Sequence, residues 1–159
     1  MSRRDCGFTL FELIVIVLIL TVVIALVGLN LTRDASDQLK DEVQRLAMVL
    51  QAAEEEAILN GRIYVVAVAR DGYQVLTPDD KGKLGNISDD ALYRPYHLPD
   101  GMAISAASID GVPAAQGRAD ILIDPSGLLP AFTVDFRAGE IRWRLEGLAN
   151  GTTRNERLS

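Results

Sequence analysis

One carboxylate stands at the start of the longest apolar stretch of the chain. Glu12 lies four residues after Phe8 and directly before the aliphatic run 13–29, which only Thr21 and Gly28 interrupt. A charge at membrane depth is energetically costly, so such a residue is by default functional and needs a partner of opposite charge. Two interpretations follow for Glu12: an ion pair within an assembly, or a solvated position at the membrane interface.

Few other residues could carry catalysis or bind a metal. His97 is the single histidine and Cys6 the single cysteine, which leaves little for a Ser-His-Asp relay, a zinc cluster or an internal disulfide scaffold. We expect His97 to be a structural or surface residue. The acidic pairs at 79–80 and 89–90 lack the spacing of an EF-hand, and a calcium ion held by loop carboxylates is the alternative. We therefore predict no catalytic residue, no metal and no cofactor.

Composition narrows the class of protein further. The 159 residues suit one domain, and 48% hydrophobic with 24% charged residues excludes a disordered chain. The net charge of −6 argues against a nucleic-acid partner, because binding to phosphate backbones needs clustered lysine and arginine.

The apolar segment 8–31 is predicted to be a single transmembrane helix. At 1.5 Å per residue it would span about 36 Å, enough for a hydrocarbon core of about 30 Å. Arg3 and Arg4 precede it and acidic residues follow it, so the N-terminus is expected in the cytoplasm and the remainder in the periplasm. A cleavable secretory signal is the alternative, but its apolar region would be shorter.

The residues around Glu12 form a recognisable pattern. A short basic leader is followed by the sequence GFTLFE from Gly7 to Glu12 and then by the apolar helix, and this resembles the type IV prepilin signature. The resemblance implies that a prepilin peptidase removes the leader 1–7 by cleaving after Gly7 and then methylates the amine of Phe8. It also implies that Glu12 pairs with the N-terminal amine of a neighbouring subunit. Such a pair would fix register, because a misplaced subunit would leave a charge unpaired in an apolar environment.

Beyond the apolar segment, the range 32–60 is predicted to continue as an amphipathic helix. Its apolar residues recur every three or four positions and so form one stripe. The stripe consists of Leu39, Val43, Leu46, Leu50, Ala53 and Ala57. We expect one continuous helix from Phe8 to about Leu59, ended by Asn60-Gly61, with its stripe covered by the chain's own sheet. A coiled coil with a partner is the alternative.

From residue 61 to 147 the pattern changes to the two-residue period of strands. Asp71-Gly72 marks a hairpin turn. The predicted strands are 62–69, 73–76, 93–98, 103–109, 119–123, 131–136 and 140–145. Residues 77–91 are predicted to be a long exposed loop and 148–159 a frayed polar tail. The predicted fold is α+β, a long N-terminal helix packed on an antiparallel sheet or sandwich.

This layout resembles the H-type minor pseudopilins of type II secretion, the GspH family, and the related FimT and FimU minor pilins. The local similarity lies in the helix end at 55–62, in Gly72-Tyr73 and in the turn 124–127. It implies a structural subunit near the tip of a periplasmic pseudopilus. The implied partners are other major and minor pseudopilins, the prepilin peptidase, the inner-membrane assembly platform and the membrane. A minor pilin of a type IV pilus, used for adhesion or DNA uptake, is the alternative.

Overall fold

The structure is a computed structural model that describes residues 10–31, 35–86, 93–115, 118–148 and 151–158. The chain divides into two units, Met1–Asp34 and Ala35–Ser159. The first unit contains helix α1, Leu10–Leu31. Its side chains are described from residue 11 to 21, and all of these are exposed.

The helical conformation predicted for the apolar segment is confirmed from Leu10 onward. Among the residues that the structure describes, no helix is both long enough and apolar enough to cross a membrane. The membrane-spanning role of 8–31 stays a prediction.

The second unit begins with helix α2, Ala35–Asn60, which confirms the predicted amphipathic helix over these residues. All six residues of the predicted stripe are buried. Gly61 follows with a φ of 60°, a left-handed conformation that ends the helix as the Asn60-Gly61 pair predicts. The predicted continuity between the two helices depends on residues 32–34, which lie outside the described residues.

The described residues of the second unit include ten strands, which form two antiparallel sheets. They are β1 (Tyr64–Ala69), β2 (Gly72–Pro78), β3 (Leu84–Asn86), β4 (Tyr96–His97), β5 (Met102–Ile109), β6 (Val112–Pro113), β7 (Ala119–Ile123), β8 (Phe132–Ala138), β9 (Ile141–Gly147) and β10 (Thr153–Leu158). Sheet A has the order β3-β2-β1-β7, with β4 also paired to β2. Sheet B has the order β10-β9-β8-β5-β6.

The hydrophobic core lies where α2 meets both sheets. Its stripe packs with Val66, Val68 and Ile121 of sheet A and with Val134, Phe136 and Leu145 of sheet B. Trp143 is partly buried and packs against the same core, as its place beside Leu145 on one strand face predicts. The chain's own sheets therefore cover the stripe, and the α+β prediction is confirmed.

Parts of the segment 77–91, which was predicted to be a loop, belong to strands. β2 continues to Pro78, and β3 returns to pair with it. The reversal is stabilised by Asp79, whose Oδ1 accepts hydrogen bonds from the backbone N–H groups of Lys81 (2.9 Å) and Lys83 (2.8 Å). Residues 87–92 lie outside the described residues.

The prediction of a frayed tail at 148–159 is wrong over β10. This strand pairs with β9 along its whole length, with Arg154 opposite Glu146 and Glu156 opposite Arg144. Opposite charges across an antiparallel pair stabilise it. The tail is polar because β10 is an edge strand of sheet B and faces water.

Candidate functional site

The residues predicted to carry function lie at the N-terminal end of the chain. Gly7 and Phe8 lie outside the described residues, so their roles stay predictions. Glu12 stands in the first turn of α1 and is exposed. A carboxylate there is favourable because the N-terminal end of a helix carries partial positive charge.

The helix surface around Glu12 is apolar on all sides. Six of the eight residues from 13 to 20 are more than half exposed, and none of these eight positions is polar. The exposed fractions include 56% for Leu13, 56% for Val17 and 64% for Leu18. A helix that is apolar all round suits lipid or a core of other helices rather than water. Glu12 is therefore placed where an apolar environment would demand a cationic partner.

A second arrangement of polar groups lies between α2 and sheet A. Glu42 is buried on α2, and its Oε2 accepts a hydrogen bond of 2.8 Å from the hydroxyl of Tyr96. Arg45 Nε lies 3.8 Å from the same carboxylate oxygen, and its guanidinium carbon lies 4.7 Å from the centroid of the Tyr96 ring. The cluster as a whole was not predicted from the sequence. The spacing of Glu42 and Arg45 on one helix face indicates an ion pair, but nothing in the sequence indicates that Tyr96 joins it.

Tyr73 lies next to this cluster, and the hydrogen bonding of its hydroxyl group differs from that of the Tyr96 hydroxyl. The two rings lie 5.1 Å apart between centroids. Burial raises the pKa of Tyr73 well above its ordinary range, and its hydroxyl has no hydrogen-bond partner among the described residues. The pKa of Tyr96 is also raised, first by burial and then by its hydrogen bond to Glu42.

Trp143 lies beside the first turn of α2. Its indole Nε1 donates to Ser36 Oγ over 3.4 Å, which ties β9 to the first turn of α2. The ammonium of Lys40 lies 5.9 Å from the centroid of the Trp143 ring, within the range of a cation–π contact. These contacts fix the Trp143 ring against the helix.

The described residues form no recognisable catalytic arrangement. His97 is exposed in β4, and its Nδ1 lies 3.6 Å from the exposed Asp71 carboxylate, beyond hydrogen-bond distance. An open cleft of about 630 Å³ is lined in part by Arg62, Asp79 and Asp124. The pKa of Asp124 is lowered by hydrogen bonds from Ser126, so its carboxylate is committed to its own turn. Nowhere in the described ranges do three or more metal-ligating side chains come together.

Two solved structures share this fold. The structure of the minor pseudopilin EpsH from the type 2 secretion system of Vibrio cholerae superposes with a TM-score of 0.61 at 23% identity, covering 76% of this chain and 98% of that one. A crystal structure of the same Vibrio cholerae pseudopilin gives a TM-score of 0.64 at 20% identity, covering 77% and 98%. The described domain therefore has the fold of a minor pseudopilin.

Sequence comparison identifies the family. A family model described as Type II transport protein GspH matches residues 42–151, and one described as the Prokaryotic N-terminal methylation motif matches residues 2–28. Because the first match covers more than half of the chain, the protein belongs to the GspH family. Type II secretion system protein H of Pseudomonas aeruginosa is 39% identical over 79 residues, which are 49% of this chain and 46% of that protein. The match therefore spans less than half the length of this curated relative.

Proposed function

We propose that the chain is a structural subunit of a type II secretion pseudopilus, a minor pseudopilin located near its tip. The observation that carries this proposal is the order of the two family matches in one chain. The methylation motif at 2–28 precedes the GspH region at 42–151 in the same chain. The similar proteins whose names mention a system are secretion proteins, which favours secretion over the type IV pilus alternative.

The N-terminal chemistry follows from this assignment. A prepilin peptidase removes residues 1–7 by cleaving after Gly7 and methylates the new amine of Phe8. Within the assembled pseudopilus, Glu12 pairs with the methylated amine of a neighbouring subunit. The apolar surface of α1 supports this pairing, because an isolated charge in such surroundings costs several kcal/mol.

The proposed location is the bacterial inner membrane. The segment 8–31 anchors the chain as a single transmembrane helix, with the N-terminus in the cytoplasm and the β domain in the periplasm. The proposed partners are the other major and minor pseudopilins and the inner-membrane assembly platform. In this role the protein is a structural component and not an enzyme, and export of proteins across the outer membrane depends on its assembly.

Two measurements in the native bacterium test this function. Intact-mass analysis of the membrane-purified protein should show a chain that begins with N-methyl-Phe8. A Cys6→Ser variant should be processed in the same way, whereas Gly7→Val should keep its leader. Deletion of the gene should leave secreted enzymes in the periplasm. Re-expression of this gene alone, with its leader intact, should restore export. Normal export after deletion, together with loss of surface pili, would instead support the type IV pilus alternative.

A further inference from the structure

Strand β10 forms one edge of sheet B and leaves one of its sides open. Among the described strands, only β9 pairs with it. It has six residues and is the longest edge strand in the described part of the chain, since β3, β4, β6 and β7 have between two and five. Its register with β9 continues without a bulge, and it contains no proline. Proteins commonly protect sheet edges with short strands, bulges or proline, and β10 has none of these three features.

The turn before β10 determines which backbone groups point to the open side. The N–H of Leu148 donates to the carbonyl oxygen of Thr152 over 2.9 Å, and these two residues stand opposite each other when the β9–β10 register is extended. Hydrogen-bonded and non-hydrogen-bonded positions alternate along an antiparallel pair. The even-numbered residues of β10 therefore direct their N–H and C=O groups toward β9. The odd-numbered residues direct theirs to the open side, and all three are exposed: Thr153, Asn155 and Arg157.

The solvent-facing side of sheet B carries charges that alternate in sign from strand to strand. Asp135 on β8, Arg144 on β9 and Glu156 on β10 are direct cross-strand neighbours. Arg144 donates to both oxygens of Asp135, at 2.6 Å and 2.8 Å. In the next row Glu146 stands opposite Arg154. Because opposite charges on neighbouring strands stabilise a sheet, a strand added beside β10 would continue these rows with a basic residue next to Glu156 and an acidic residue next to Arg154.

We propose that β10 binds an extended segment of a neighbouring pseudopilin, which adds to the open side as an antiparallel strand. This inference rests on the proposed function, in which other pseudopilins surround the chain. Strand addition at an exposed edge uses main-chain hydrogen bonds for affinity and side-chain positions for specificity. An antiparallel strand that continues the charged rows carries a basic residue followed two positions later by an acidic residue. Arg154 and Glu156 follow the same order within β10, so a second copy of this chain is the alternative occupant.

The size of the edge favours a partner held in the same assembly. Six residues of strand extend over only about 20 Å. Pairing along this length is a smaller contact than the roughly 1,200 Å² that stable interfaces between free proteins bury. Two free copies would therefore not form a stable dimer through β10 alone. A different subunit that is already tethered in the pseudopilus has a high effective concentration, which makes a small contact sufficient.

Photo-crosslinking in the native bacterium tests this proposal on the full-length chain. The photoreactive residue p-benzoylphenylalanine replaces Thr153 at the open side of β10. In the control chain it replaces Val112, an exposed residue of the two-residue edge strand β6. We expect crosslinks to another pseudopilin from position 153 in clear excess over position 112. Mass spectrometry should place them in an extended segment with the expected order of charges, and equal yields from the two positions would contradict the proposal.

Two variants of Asn155 test the backbone hydrogen bonds. Asn155→Pro removes one N–H from the open side and none of those directed at β9. It should lower the crosslinking yield from position 153 about fivefold or more, as expected for one lost backbone hydrogen bond. Asn155→Ala keeps this N–H and should leave the yield unchanged. Equal yields for the two variants, with both folded, would contradict strand addition.

A charge exchange provides an independent test if Asn155→Pro does not fold. Arg154→Glu places two carboxylates opposite each other, so it should lower both the thermal stability and the crosslinking yield. Adding Glu146→Arg restores an opposite pair within sheet B and should restore thermal stability. The acidic residue of the partner then faces a carboxylate, so the yield should remain low. Recovery of both quantities would assign these residues to fold stability alone and would overturn the proposal.

Export measured in the same strains separates this inference from the proposed function. Normal export after deletion of the gene would contradict the proposed function itself. If deletion abolishes export, but position 153 gives no crosslinks or gives crosslinks that neither Asn155→Pro nor the charge exchange reduces, only this inference is wrong. Crosslinks that join two copies of this chain would show that the occupant is a second copy and would likewise overturn it.

Discussion

The hydroxyl of Tyr96 donates a 2.8 Å hydrogen bond to Oε2 of Glu42, a residue 54 positions earlier in the chain. This bond joins β4 to α2, and the guanidinium of Arg45 contacts both members of the pair. The carboxylate of Glu42 is buried, so it depends on these partners. The contact therefore connects the edge of sheet A to the helix on which the core is built.

We predict that Tyr96→Phe lowers the free energy of unfolding by about 1–2 kcal/mol. The substitution keeps the ring and removes the donor of a hydrogen bond to a charged, buried acceptor. Urea denaturation of the 35–159 segment, followed by circular dichroism, measures the change. Equal stability of the variant and the parent chain would show that Arg45 alone satisfies Glu42.

Tyr73→Phe should have the opposite outcome, although the two tyrosines are neighbours. The Tyr73 hydroxyl is buried and finds no hydrogen-bond partner within the described residues, so its removal takes away an unfavourable buried polar group. We expect unchanged or slightly increased stability in the same denaturation experiment. A loss of about 1 kcal/mol or more would indicate that the hydroxyl is hydrogen-bonded in solution.

Alkaline pH should destabilise the domain through Tyr73. Burial raises its pKa in the folded state above the unfolded value of about 10, so the unfolded chain loses this proton first as the pH rises. The stabilising contribution is complete below about pH 10 and decreases as the pH rises from there toward the folded pKa. Denaturation midpoints at about pH 8 and about pH 11 should differ more for the parent chain than for Tyr73→Phe. Equal pH dependence of the two proteins would contradict this assignment.

A close contact within sheet B makes a glycine necessary. Gly147 pairs with Phe132, and a Cβ atom at Gly147 would lie 2.0 Å from Cε1 of the phenylalanine ring. We predict that Gly147→Ala lowers stability by about 1–3 kcal/mol, because the ring must leave its place in the core. Gly85→Ala is the matched control, since a Cβ atom there would meet nothing within 4 Å. Thermal melting that shows similar losses for both variants would disprove the role of the Phe132 contact.

Repeating patterns in the sequence predicted much of this fold. The buried stripe of α2 has the helical period and coincides with the six predicted residues, and β1, β2, β5, β7, β8 and β9 overlap the predicted strands. These elements have one apolar face against the core, so burial imposes a period that is visible in the sequence. The hairpin between β1 and β2 was also predicted, but its turn consists of Arg70 and Asp71, one residue earlier than the predicted Asp71-Gly72, because Gly72 already pairs with Ala69.

Features that depend on pairing between distant segments were not predictable. β10 has no apolar face, so only its charge-matched register with β9 reveals it as a strand. Glu42 and Tyr96 both appear as ordinary polar residues until the fold brings them together. The placement of Arg137 directly opposite Arg142 likewise requires knowledge of the β8–β9 register, because neither residue stands out in the sequence. The N-terminal pattern was recognisable because its residues are contiguous.

The role of Glu12 is tested by removing its charge while keeping its shape. In the Glu12→Gln variant, membrane insertion should persist and the leader should still be cleaved. Incorporation into the pseudopilus should decrease about tenfold or more, because the methylated amine of a neighbour would be left unpaired in an apolar environment. Crosslinking to the other pseudopilins in membranes, with export measured in parallel, gives the result. Glu12→Asp keeps the charge and should restore part of the assembly. Full crosslinking and export with Glu12→Gln would mean that Glu12 is a solvated interfacial carboxylate, whereas loss of cleavage would assign it to recognition by the peptidase.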